Sequence, residues 1–211
     1  MTSTSFGRFA MAALLTAAAW IAAAPAARAN SEAEAFTQRV IDEGISILRE
    51  NGHGGDPRHT KFHDFIVKYA DATSAAMFTL GPYRRGASQA DIESFVDAYR
   101  EYEFSLYARS LDKYKDKALH VTGSVDNKPG DVTVATVVQD DRSSADKALR
   151  IAFRLLGSAG NYKFADVQIE GAWISQSQLE QFRSILSRNG GNIPDLTREI
   201  KQQTDRIVSG R

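Results

Sequence analysis

Apolar positions recur every three or four residues at both ends of the chain and alternate with polar positions between them. The helical spacing predicts three helices from Ser31 to Leu80, the first of them opened by a capping box at Ser31. A long fourth helix is predicted from Ser88 to about Lys115. Two further helices, one on each side of Gly190, close the chain.

The middle of the chain predicts four β-strands, in the segments ALHVTGSV, VTVATVV, KALRIAFRLLG and YKFADVQIEGAW. In the first segment, Leu119, Val121 and Val125 alternate onto one side; in the third, Phe153 falls on the side opposite Arg154. The turns between the segments are short, so the strands form an antiparallel meander. The sequence therefore predicts an α+β domain in which helices pack on one face of a four-stranded antiparallel sheet.

Aromatic residues are concentrated around the long fourth helix, since eight of the 20 in the chain lie between Phe78 and Tyr114. On a helical wheel the apolar arc of this helix spans about 200°, whereas one packing partner needs a stripe of about 100°. The helix is therefore expected to bury two surfaces, one of them against the sheet. The other faces either a neighbouring helix or a cavity, and the periodicity alone does not separate these two possibilities.

The N-terminus has the pattern of a secretory signal peptide. Arg8 is the only charged residue before an apolar run, and Ala27-Arg28-Ala29 is a small-x-small cleavage site. We expect residues 1–29 to be a cleaved signal peptide and residues 30–211 to form a single domain in an exported protein.

Charge and cysteine content exclude several classes of function. The chain has 26 basic and 26 acidic residues, so it lacks the basic surface expected of a protein that binds nucleic acid or an anionic membrane. It has no cysteine, which excludes thiol catalysis, thiolate metal sites and a lipid-modified cysteine anchor.

Few residues form patterns typical of catalysis or metal binding. His59 and His63 are four positions apart and, with His53, are either the beginning of a metal site or solvated histidines at a loop edge. Asp166 interrupts the apolar alternation of the last strand and is either a general base or an acceptor of backbone hydrogen bonds at a bulge. The adjacent Arg84 and Arg85 either bind a phosphate or lie in a solvated loop.

Two blocks of the sequence resemble a known family. The segment FTLGPYRRGAS is similar to the Leu-Gly-x-Tyr-x-Arg-x-Ala-Ser pattern of the periplasmic phospholipid carriers of the Mla system, also called the toluene-tolerance substrate-binding family, which includes hopanoid-associated relatives. The segment DVQIEGAWISQSQLEQFRSIL resembles that family's Asp-Val-x-x-Glu-Gly block and the helix that follows it. The resemblance extends from about Phe36 to Leu196.

This resemblance implies an NTF2-like fold, in which helices from both ends of the chain enclose an apolar cavity against the sheet. It implies a periplasmic carrier that needs no cofactor or metal, is not an enzyme, and holds the acyl chains of a phospholipid with the headgroup near solvent. The expected partners are an outer-membrane lipoprotein complex and an inner-membrane substrate-receiving complex of an ABC transport system. A hopanoid or another apolar ligand remains an alternative cargo.

With this resemblance, apolar residues of the aromatic region and of the strands become candidates for acyl-chain contact. They are Phe78, Leu80, Tyr83, Phe95, Tyr99, Phe104, Tyr107, Val121, Val134, Phe153, Phe164, Val167, Ile169 and Phe182. Arg84 and Arg85 are candidates for contact with a headgroup or a partner protein. Two rival hypotheses remain: a small NTF2-like enzyme with Asp166 as general base, and a metal-binding or structural protein that uses the three histidines.

Overall fold

The computed structural model describes residues 30–49, 57–111, 117–139 and 148–210. The predicted signal peptide and His53 lie outside these residues. Within them, the six helices are Ser31–Arg49 (α1), Pro57–Tyr69 (α2), Ala72–Leu80 (α3), Gln89–Leu111 (α4), Ile174–Arg188 (α5) and Ile193–Val208 (α6). The five strands are Ala118–Lys128 (β1), Asp131–Gln139 (β2), Arg150–Leu156 (β3), Lys163–Ile169 (β4) and Ala172–Trp173 (β5).

The strands form one antiparallel sheet in the order β1-β2-β3-β4-β5. The α+β class and the meander predicted from the sequence are therefore confirmed. The segment predicted as one fourth strand is instead β4, a tight turn and the two-residue β5. Glu170 and Gly171 both have positive φ angles, of 48° and 87°, and this pair is typical of the two-residue turns that join antiparallel strands.

A β-bulge in β1 corrects the predicted alternation of the first strand. Val121 lies opposite Thr136 of β2, but the register shifts before Gly123, and Val125 then lies opposite Thr133. A shift of one residue moves every later side chain to the other face of the sheet. Val125 is consequently 45% exposed on the outer face, and the prediction that it shares a face with Val121 was wrong.

The first helix is capped by Asn30 rather than by Ser31. The Asn30 side-chain oxygen accepts a hydrogen bond from the backbone N–H of Ala33 at 3.0 Å. The backbone N–H of Asn30 donates to Ser124 Oγ of β1 at 2.7 Å, and that hydroxyl donates to Glu34 at 2.7 Å. Glu34, predicted to complete a capping box, instead connects the start of α1 to the sheet.

In the described part of the chain, buried hydrophobic residues form three clusters. The helical cluster joins α3, α4, α5 and α6 around Phe95 and Phe182. The sheet cluster joins α1 to β2 and β3 around Phe36 and Val134. The third cluster joins α1, α2 and α4 around Phe62. The helices therefore pack mainly on one another, and only part of the sheet is packed against them.

An ion pair between the buried Asp131 and the partly exposed Arg154 joins the start of β2 to β3. Asp131 is 2% exposed and accepts hydrogen bonds from Arg154 Nε at 3.0 Å and Nη2 at 2.6 Å. Asn127 donates a third hydrogen bond at 3.0 Å. The hydrogen bond from Arg154 lowers the pKa of Asp131 below its ordinary value, against the opposing effect of burial.

Asp131→Asn is expected to lower the free energy of unfolding by about 1–3 kcal/mol at neutral pH, because a charge-assisted acceptor is lost. Since the pKa is lowered in the folded state, the contribution is present above the unfolded pKa of about 3.9 and is lost as pH falls through the folded value. Urea unfolding from neutral pH to about pH 2 should therefore show the two proteins converging in acid. A difference that stays constant over this range would contradict the assignment.

Candidate functional site

Strand pairing places the candidate strand residues on one face of the sheet. Val134 lies opposite Phe153, and Phe153 in turn lies opposite Val167. Directly opposed residues of antiparallel strands project to the same face. The same argument adds Val121 of β1 and Ile169 of β4, through their partners Thr136 and Ile151. The Phe164 ring joins them because its centroid lies 5.2 Å from that of Phe153.

This inner face is only partly covered by helices. Helix α1 lies on β1 and β2, and helices α3 and α5 lie against β4; no helix in the described part of the chain packs along β3 to a similar extent. Val134 is fully buried under α1, whereas Ile169 is 42% exposed. We call the half-buried and exposed apolar side chains of this face the inner-face patch, which consists of Leu119, Val121, Ile151, Phe153, Phe164, Val167 and Ile169.

The described part of the chain leaves the inner-face patch only partly covered. Protein interiors are normally close-packed, and buried strands exclude water from apolar side chains. Here Phe153 and Val167 stay accessible although they lie on the face toward which the helices pack. Aromatic rings pack together beside the patch, since the Phe36 centroid lies 6.0 Å from that of Tyr69, 5.7 Å from that of Tyr162 and 5.6 Å from that of Phe164. Such an apolar recess is suited to an apolar ligand.

Most candidate residues of the aromatic region pack within the helices. The helical cluster contains Leu80, Phe95, Tyr99 and Phe182. The Tyr83 ring packs at its edge, close to Gly191. Phe104 and the half-buried Tyr107 belong to the cluster formed with α1 and α2, and Phe78 is 45% exposed. Helix α4 thus buries two surfaces, as its wide apolar arc predicted. Both surfaces contact other helices, so the prediction that one of them packs against the sheet was wrong.

A chain of polar side chains crosses the wall formed by α4 and α5. Tyr99 Oη donates a hydrogen bond to Gln178 Oε1 at 2.7 Å, and Gln178 Nε2 donates to Glu103 Oε1. Glu103 is also hydrogen-bonded to the Tyr107 hydroxyl. Glu103 is 7% exposed, and burial raises the pKa of its carboxyl group, as does the nearby charge of Asp166.

Asp166 uses its side chain to fix the start of α5. It lies opposite Arg154 at the register shift between β3 and β4. Its Oδ1 accepts hydrogen bonds from the backbone N–H groups of Val167 at 2.9 Å and Ser175 at 3.1 Å, and its Oδ2 accepts one from the Ser175 hydroxyl. This arrangement is the acceptor role at a bulge that the sequence left open, and it occupies both carboxylate oxygens.

The two arginines and the histidines are dispersed. Arg84 and Arg85 are exposed in a 3₁₀ segment, and no described carboxylate forms an ion pair with them. His63 Nδ1 lies 3.6 Å from Asp64 Oδ1, and His63 Nε2 lies 3.8 Å from Glu101 Oε1. The side chain of His59 is outside the described part of the structure. The described residues contain no group of three or more potential metal ligands.

A separate groove of about 380 Å³ lies between the start of α4 and helix α6. Unlike the inner-face patch, it is lined largely by charged and polar residues. Half of the residues that line it are charged; the lining comprises Asp91, Ser94, Pro194, Thr197, Arg198, Lys201, Gln202 and Asp205. A polar, open groove of this kind does not exclude water from an apolar ligand, so the inner-face patch is the better candidate site.

Sequence reasoning overlooked Glu103, Gln178 and Ile151. A signal for Glu103 was available, because positions 99, 103 and 107 follow one another at four-residue spacing on one face of α4. Ile151 alternates with Phe153 and is therefore on the same face. Nothing in the local sequence indicated Gln178, because its role depends on how α5 packs against α4.

The described helices include none that is long and apolar enough to cross a membrane.

The architecture has a counterpart among solved structures. The phospholipid-binding protein from Ralstonia solanacearum, whose structure was determined in complex with a phospholipid, matches with a TM-score of 0.69. The two sequences are 18% identical, and the match covers 83% of this chain and 98% of the other. The NTF2-like α+β fold expected from the sequence is thereby confirmed. A family model described as MlaC protein matches residues 38–202, which is most of the sequence, and the chain therefore belongs to the MlaC family.

Proposed function

We propose that this protein is a periplasmic lipid carrier. It holds the acyl chains of a phospholipid against the inner-face patch and carries the lipid between outer- and inner-membrane complexes of an Mla-type ABC transport system. The observation that carries the proposal is the accessibility of Phe153 and Val167 on the face of the sheet that the helices otherwise cover.

The energetics of the cargo favour such a recess. Each methylene group that leaves water for an apolar environment contributes about 0.8 kcal/mol, so an acyl chain is strongly driven into an apolar space. The inner-face patch offers aliphatic and aromatic surface without a charged side chain among its members. The accessible apolar side chains of the inner-face patch are exposed to water in the empty protein. They pack against the acyl chain when the lipid binds.

Membership of the MlaC family supports the proposed place of the carrier between membrane complexes. The Ralstonia protein, which shares the fold, was solved with a phospholipid, and this supports phospholipid as the cargo. Export fits the same proposal, because cleavage before Asn30 leaves the cap of α1 intact. The proposal includes contact with the two membrane complexes but assigns no surface of the protein to it. Arg84 and Arg85 stay candidates for such contact.

Catalysis is not part of the proposed function. The rival hypothesis needs Asp166 as a general base, and a base must present a free acceptor to its substrate. Both oxygens of Asp166 already accept hydrogen bonds from Val167 or Ser175. This occupation favours binding and transport over chemistry at that residue.

The first test is native mass spectrometry of the protein expressed with its leader, exported and purified without detergent. We expect a polypeptide that begins at Asn30 and carries an excess mass equal to that of a diacyl phospholipid, which solvent extraction then identifies. A protein that is free of lipid, and stays free after mixing with phospholipid vesicles, would overturn the carrier proposal. A leader that remains attached would overturn the predicted cleavage alone.

A further inference from the structure

The accessibility of the inner face changes along the sheet. On β3, Phe153 is half-buried, whereas Leu155 is fully buried. On β4, Ile169 is 42% exposed, whereas Tyr162, directly before the strand, is 7% exposed. The two strands are antiparallel, so burial increases on both of them toward the connection that joins them. In the described part of the chain, the inner-face patch is therefore open at the end near β5 and closed at the opposite end.

Phe164 lies at the boundary between the accessible and the buried part of this face. Its ring centroid is 5.2 Å from that of Phe153, which belongs to the inner-face patch. It is also 5.6 Å from that of Phe36, which is 8% exposed and belongs to the sheet cluster. The Phe36 ring in turn packs with Tyr69 and Tyr162. An apolar chain that lies on Phe153 and extends toward the closed end thus meets the Phe164 ring before the packed rings of the sheet cluster.

The backbone of Phe164 is held on both sides. On one side Phe164 pairs with Leu155 of β3. On the other side it forms a parallel bridge with Ala70, and its carbonyl oxygen accepts a hydrogen bond from the backbone N–H of Asp71 at 2.7 Å. The register of β4 shifts directly after Phe164, and bulges of this kind set the direction of neighbouring side chains. A ring whose backbone is fixed at both edges has little freedom to make way for a ligand.

We propose that Phe164 determines the length of the acyl chain that the protein accepts, because its ring ends the accessible part of the inner-face patch. This inference rests on the proposed lipid-carrier function and deepens it by assigning a specificity-determining residue. The charged headgroup stays in water at the open end near Ile169, since burial of an unpaired charge is costly. The methyl end of the chain then points toward Phe164. Methylene groups in excess of this path stay in water and lose the free energy of apolar burial.

The test measures which acyl chains the protein selects. Delipidated protein is incubated with fluid vesicles that contain equal amounts of dimyristoleoyl, dipalmitoleoyl and dioleoyl phosphatidylglycerol, and native mass spectrometry quantifies the lipids bound. Phe164→Ala opens the path to a longer chain, so its ratio of dioleoyl to dimyristoleoyl lipid should be about tenfold higher than that of the wild-type protein. Phe164→Trp should lower the same ratio, because a larger ring shortens the path.

Two controls separate the length limit from a general loss of packing. Phe78→Ala deletes the same ring from a residue that is 45% exposed and outside the inner-face patch. Phe62→Ala deletes a buried ring from the cluster formed by α1, α2 and α4, and it should lower the unfolding temperature. Both variants should keep the wild-type ratio. Phe164→Leu is the milder substitution at the site and should shift the ratio in the same direction as Phe164→Ala.

Thermal unfolding establishes which variants are folded. Wild-type selectivity in a folded Phe164→Ala protein, or in Phe164→Leu where the alanine variant does not fold, would overturn the inference. An equal shift in Phe62→Ala would also overturn it, because loosened packing would then account for the change. A wild-type protein that takes up none of the three lipids would instead overturn the carrier proposal and, with it, the role of Phe164.

Discussion

A protein that carries Phe153→Asp is expected to fold and to be recovered without bound lipid. Phe153 is at the centre of the inner-face patch, between Val134 and Val167 on the neighbouring strands. Its side chain is only half-buried, so a carboxylate at this position stays in contact with water while the site is empty. An acyl chain that enters the recess would remove this water, and a desolvated charge without a partner costs several kcal/mol. Lipid occupancy should fall by more than tenfold.

The measurement is the bound mass of the exported protein by native mass spectrometry, together with thermal unfolding to establish that the variant is folded. Val137→Asp is the matched control, because it puts the same charge on the neighbouring strand β2 at a half-buried position opposite Arg150, on the outer face. The control should retain lipid. A folded Phe153→Asp protein with the lipid content of the wild type would show that the inner-face patch is not the binding site.

Val134→Asp is a poorer test of the same site than Phe153→Asp, although Val134 and Phe153 are both candidates from the sequence. Val134 is fully buried under α1 in the sheet cluster, so an aspartate there is desolvated even in the empty protein. Loss of the fold would then account for any loss of lipid. The alternation of β2 gives the face to which Val134 belongs but not the depth of its burial, which depends on where α1 crosses the sheet.

The sequence predicted the sheet face well where the alternation was continuous. In β3, Phe153 and Leu155 face inward and Arg154 faces outward, as their alternation predicted. The prediction failed at Val125, because a bulge near Gly123 moves the later side chains of β1 to the opposite face of the sheet. No local sequence pattern indicates this bulge. It also missed the turn at Gly171, where the positive φ of the preceding Glu170 is an unusual conformation for a non-glycine residue.

The aromatic helix shows a different limit of sequence analysis. Its periodicity indicated two buried surfaces, and α4 does bury two. Whether an apolar side chain on such a surface meets another helix or a ligand depends on elements distant in the sequence. Tyr99, for example, is enclosed by α5, whose Gln178 accepts its hydroxyl proton. Family resemblance suggested a cavity, and only the packing distinguishes residues that close the core from residues that border the recess.

Phe182→Ala is expected to lower the free energy of unfolding by about 3–5 kcal/mol, the usual cost of deleting a buried phenyl ring. Phe182 is fully buried, and its ring centroid lies 6.1 Å from that of Phe95, 6.3 Å from that of Tyr99 and 6.4 Å from that of Tyr102. These rings belong to the helical cluster, so the alanine leaves a cavity between α4 and α5. Urea unfolding of delipidated wild-type and variant proteins measures the difference without a contribution from bound ligand.

Phe78→Ala is the control for this measurement, because it deletes the same ring from a residue that is 45% exposed and belongs to none of the three clusters. Its unfolding free energy should stay within about 0.5 kcal/mol of the wild-type value. The folded fraction of Phe182→Ala should still take up lipid, since Phe182 is outside the inner-face patch. A Phe182→Ala protein of nearly wild-type stability that binds no lipid would reverse this assignment, because the ring would then line the ligand site rather than close the helical cluster.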